Sequence, residues 1–134
     1  MRFTISSFRR LAFSLIILVL VSGVVYSAYL GDNLRFWDEH EYYKIADNLI
    51  QKNIYSLDGI NKTAYRPPGY SWVLSVLMLA GASITMLRIA NFAALACSIY
   101  IIYLITKKLH SNSAAAVACL LVLFYPVLFF LAGI

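Results

Sequence analysis

"LAFSLIILVLVSGVVYSAYL", residues 11–30, holds no charged side chain in twenty consecutive positions. At about 1.5 Å of rise per residue, a helix of that length crosses a hydrocarbon core of about 30 Å. Arg2, Arg9 and Arg10 precede it, so the positive-inside rule puts residues 1–10 in the cytoplasm. A secretory signal peptide is the rival reading. The run is long for the apolar part of one, and "VVYSAYLG" offers Tyr26 where cleavage needs a small residue. A retained membrane helix fits better.

The rest of the chain supports that reading. Of its 134 residues, 62% are hydrophobic and only 13% charged, and the mean hydropathy is +0.78. Soluble domains are nearer one-quarter charged. The net charge of +5 comes from basic residues that punctuate apolar runs, as membrane-flanking charges do, so no nucleic-acid partner is expected. Cys97 and Cys119 both lie in apolar runs, where a free thiol acts as a small hydrophobe.

Working outward, residues 31–67 form a polar loop expected on the extracytoplasmic side. The loop holds all six acidic residues of the chain: Asp32, Asp38, Glu39, Glu41, Asp47 and Asp58. Residues 68–134 then read as three further membrane helices, over about 68–81, 85–106 and 113–134. "GAS" at 81–83 marks a turn, with Ser83 as the N-cap of the helix that follows. Pro126 should kink the last helix. Counting crossings from a cytoplasmic N-terminus puts "KKLHSNS" (107–113) outside, although Lys107 and Lys108 would favour the inside. The sequence stops on "LFYPVLFFLAGI" without a polar flank, and is therefore expected to be the front of something longer, inactive on its own. The expected fold class is all-α: a polytopic membrane protein of about four hydrophobic helices, plus a short amphipathic interfacial helix in the first loop.

That amphipathic helix is written in "RFWDEHEYYKIADNL" (35–49). No Gly or Pro interrupts it, and Tyr42, Ile45, Ala46 and Leu49 recur at i, i+3, i+4 and i+7, one apolar stripe. In a loop between membrane helices such a stripe lies along the lipid interface. Asp38 and Glu41 have the spacing of a capping box. A functional reading, compatible with that cap, makes Asp38 a carboxylate held at the membrane surface as a general base or a cation ligand. The four residues "DEHE" (38–41) diverge by about 100° each on a helix, so they do not converge on one ion, and no metal site or cofactor is expected. In "YRPPGY" (65–70) the prolines fix an extended backbone ahead of the next helix. Arg66 either snorkels to headgroups or is aimed at a phosphate, which its fork suits.

In this order, the first helix, "WDEHEYYKIADNL", "YRPPGYSWVLSVL", "LRIANFAALACSIYIIYLITKKL" and an Ala-rich run reaching "YP" resemble the N-terminal part of the polytopic GT-C glycosyltransferases. That group includes the protein O-mannosyltransferases and the aminoarabinose transferase of lipid A. The "RPPGY" form is most similar to the bacterial RgtA/B/C/D-like members of the glycosyltransferase 39 clan. The resemblance spans about residues 10–134. It implies inverting transfer of a sugar from a polyprenyl-phosphate donor to a hydroxyl on a glycan, lipid or protein acceptor, outside the cytoplasmic membrane. It places the catalytic acid on Asp38, with Glu39 its neighbour, and a cation near the donor phosphate on Arg66. Glu41 and Tyr42 would shape the loop and contact substrate.

The alternative is a small non-catalytic multi-pass subunit or scaffold. A transporter would carry ionisable residues within its helices. Here the apolar runs hold little but Arg88, which reads as a boundary charge.

Overall fold

The computed structural model of the chain describes residues 5–133. Arg2, one of the three arginines expected to orient the first helix, lies outside the described residues, as does Ile134. Six helices follow one another: α1 (Ile5–Leu30), α2 (Trp37–Lys52), α3 (Pro68–Leu79), α4 (Ile84–Leu109), α5 (Asn112–Leu123) and α6 (Pro126–Ala132). No strand occurs among the described residues. The fold class is all-α, as expected. The helices sort into two compact units, one built on residues 5–29 and 88–133 and the other on residues 30–87.

In the first unit, α1 and α4 are each long and apolar enough to cross a membrane. The expected single helix over 113–134 is a broken pair, in which α5 and α6 meet at a bend of 64°. Pro126 is the cause. It stands in the first turn of α6, where its missing N–H costs nothing, and its ring cannot continue α5. Ser111 caps α5 by accepting from the Ala114 amide at 3.2 Å.

The core of this unit is assembled from small residues facing aromatic ones. Ala12, Ala96, Ala115 and Cys119 are buried with Phe92, Ile99 and Tyr103. The Phe92 and Phe129 rings lie 4.8 Å apart, and Tyr26 meets Phe92 edge-on at 6.4 Å. Gly23 makes room for this: a Cβ there would stand 2.3 Å from Cγ of Phe92. Arg88, expected at a boundary, is buried at 2% exposure near the start of α4.

In the second unit α2 packs on α3. The apolar stripe expected to lie on lipid is covered instead: Ile45 and Ala46 have no exposed surface. Ala46 joins Leu74 and Leu87, with Tyr42, Tyr70, Leu77 and Met78 packed against them. The Tyr42 and Tyr70 rings meet edge-on at 5.0 Å. Asn53 ends α2 in the left-handed conformation, at φ 53°. The turn "GAS" is as expected. Gly81 takes φ 85°, and Ser83 Oγ accepts from the Met86 amide at 3.4 Å. A second cap comes from far back in the chain, where Asp32 Oδ1 accepts from the Thr85 amide at 2.7 Å.

Candidate functional site

The N-terminus of α2 is set by a glutamate, though not in the expected way. The helix starts at Trp37, so Phe36 is the N-cap and Glu39 the third helical residue. Glu39 Oε2 reaches back to accept from the amides of Arg35 at 2.6 Å and Phe36 at 3.1 Å. The box expected between Asp38 and Glu41 does not form, because Asp38 lies inside the first turn and not at the N-cap, and both carboxylates share another partner.

That partner is Arg66. Its Nε donates to Glu41 Oε2 at 2.7 Å; its Nη2 forms an ion pair with the same oxygen and donates to Asp38 Oδ1. The guanidinium also lies over two rings, 5.3 Å from the centre of Tyr42 and 5.1 Å from that of Tyr65. Tyr55 Oη steadies the backbone by donating to the Arg66 carbonyl at 2.8 Å. Pro67 and Pro68 do the rest: Pro67 is extended at φ −60°, ψ 135°, and α3 starts on Pro68. The loop before them is pinned by Asp58, whose Oδ1 accepts from the amides of Ile60 and Asn61, both at 2.8 Å. Those bonds, chiefly the one from the Asn61 amide, hold the Asp58 carboxyl well below the usual carboxylate range.

Glu41 is the centre of the arrangement. Its second oxygen, Oε1, accepts from the indole Nε1 of Trp37 at 2.8 Å, and its side chain is only 10% exposed, against 56% for Asp38. The hydrogen bond to Glu41 raises the pKa of Arg66, with the charges of both carboxylates adding to it against partial burial. The guanidinium is thus a permanent cation. Among the described residues, Oδ2 of Asp38 and Nη1 of Arg66 carry no bond. The site therefore presents, on a side chain that is more than half exposed, a carboxylate oxygen without a bond, and a guanidinium nitrogen without one.

Of the five expected site residues, Asp38, Glu41, Tyr42 and Arg66 come together, and Glu39 turns away to cap its helix. Sequence reasoning missed the two donors that bind Glu41, Trp37 and Arg66. The indole is legible as an i, i+4 neighbour on α2. The arginine, 25 positions away, leaves no periodic signal.

A family model described as dolichyl-phosphate-mannose-protein mannosyltransferase matches residues 65–133. The match covers more than half of the chain and starts at Tyr65, so it includes Arg66 and the two prolines. The acidic helix α2 lies upstream of it. Neither a curated protein nor a solved structure matches the chain.

Proposed function

The chain belongs to the dolichyl-phosphate-mannose-protein mannosyltransferase family, and from that premise we propose that the α2–Arg66 cluster is the reaction site of a membrane glycosyltransferase. The donor is a polyprenyl-phosphate-linked sugar, and the acceptor is a hydroxyl on a glycan, lipid or protein. The reaction takes place on the extracytoplasmic side of the cytoplasmic membrane, with the N-terminus inside.

One observation carries this reading: Arg66 holds Asp38 by one oxygen and leaves the other without a bond on a largely exposed side chain. In the step proposed, Asp38 Oδ2 takes the proton of the acceptor hydroxyl. The acceptor oxygen then bonds to the anomeric carbon as the bond from that carbon to the phosphate oxygen breaks. The electron pair leaves on the lipid phosphate, beside the cationic Nη1 edge of Arg66. Attack opposite the leaving phosphate inverts the anomeric centre. Glu41 balances the charge of Arg66 and fixes its fork, and Tyr42 supports the guanidinium face. Glu39, a catalytic candidate from the sequence, is assigned here to positioning α2.

The test is Asp38→Asn in the native gene product, assayed in its own membranes with polyprenyl-phosphate mannose as donor. The expected outcome is a loss of transfer of about 100-fold or more, the scale of a removed general base, with membrane abundance unchanged. Transfer above one-tenth of the parent would overturn the assignment and favour a non-catalytic membrane subunit.

A further inference from the structure

Beside this cluster, on the other side of Glu41, the second unit has an open cleft of about 410 Å³. Its size falls within the roughly 300–1,000 Å³ of small-molecule sites. Trp37, His40, Glu41 and Lys44 line it from α2, and Arg35 and Leu57 from the flanking loops. The spacing i, i+3, i+4 and i+7 puts the four α2 residues on one helix face. That face is turned well away from the stripe buried against α3.

The electrostatics of the cleft are one-sided. Its single carboxylate, Glu41, is already bound by Arg66 and by the Trp37 indole. Arg35 and Lys44 remain, from two different elements, and among the described residues neither forms an ion pair. Arg35 is held at both ends: its amide donates to Glu39 at 2.6 Å and its Nη2 to the Leu30 carbonyl at 3.1 Å. Its remaining N–H groups are therefore oriented in advance. Trp37 is 78% exposed and offers an apolar wall opposite Leu57. Two uncompensated cations, an imidazole and an indole in one concavity are suited to an oxyanion attached to a compact organic body.

We propose that this cleft is a second binding site, taking a phosphate or carboxylate group presented at the membrane surface, carried either by the acceptor or by a lipid headgroup. The site is distinct from Asp38 Oδ2 and Arg66 Nη1, and its occupancy requires no sugar transfer.

The test uses Trp37 itself. Trp72→Phe leaves it the only indole in the chain. The protein is placed in nanodiscs of phosphatidylcholine and titrated with inorganic phosphate, with ionic strength held constant by chloride. A saturable change in Trp37 emission is expected. Lys44→Gln should shift its midpoint about 10-fold, the scale of one lost charged hydrogen bond, and Arg35→Gln/Lys44→Gln should abolish it. Lys44 is exposed, so the single variant tests the site without disturbing the fold. Nanodiscs containing phosphatidylglycerol separate the sources. Emission already displaced before phosphate is added identifies a lipid headgroup, and a titration identical in both lipids identifies an acceptor-borne group. Emission that ignores both phosphate and phosphatidylglycerol would overturn the proposal. So would a response that survives intact in Arg35→Gln/Lys44→Gln.

Discussion

Arg66 does two things at once: it neutralises Glu41, which is mostly buried, and it orients Asp38, which is mostly exposed. Each demand alone would be met by any cation. Meeting both with Nε and Nη2 while a third nitrogen stays free requires the planar fork, which lysine lacks. Arg66→Lys should therefore keep the charge and lose the geometry. The expected result is a fall in transfer of at least 10-fold, with donor use impaired more than acceptor use. Equal impairment of both would point to a purely structural Arg66. Truncation to Ala should be harsher, because Glu41 would be left nearly buried without its counter-charge. Glu41→Gln in the Arg66→Ala background should then recover thermal stability, though not activity, a non-additive pair that a melting series would reveal.

At the scale of elements, close approach in the first unit depends on small residues. Gly23→Ala would drive a methyl group into Phe92, and with it the contacts Phe92 makes to Tyr26 and Phe129. Overpacking of this kind costs about 1–3 kcal/mol, so the melting midpoint in detergent should drop clearly. Gly69→Ala is the control, since a Cβ there meets nothing within 4 Å, and its midpoint should match the parent. The break between α5 and α6 was legible as Pro126, but its size was not. A proline removes one hydrogen bond and clashes with one carbonyl; the surrounding packing sets the angle.

At the scale of the whole molecule, α3 decides the topology. Its 12 residues rise only about 18 Å, too little for a core of about 30 Å. If α1 and α4 are the crossings before residue 107, Lys107 and Lys108 fall on the same side as Arg9 and Arg10, the side the positive-inside rule favours; if α3 crosses as well, they fall on the other. The two arrangements are separated by His110→Cys in a Cys97→Ser/Cys119→Ala background. It should resist an impermeant maleimide in intact cells, while Ile60→Cys, at a position 76% exposed, should label. Labelling at both positions would restore α3 as a crossing. What the sequence determined by itself was whatever depends on local order: the apolar runs, the stripe on α2, the Ser83 cap, the proline break and the gathering of all six acids in one loop. These follow from periodicity and backbone chemistry, which need no distant partner. Only the tertiary structure decided that the α2 stripe is covered by α3, that Glu39 caps while Asp38 stays exposed, and that Arg66 joins Asp38 to Glu41. Those choices are competitions among several carboxylates for one guanidinium and a few free amides. Their outcome depends on which groups the folded backbone brings within hydrogen-bond distance, and residue order does not record that.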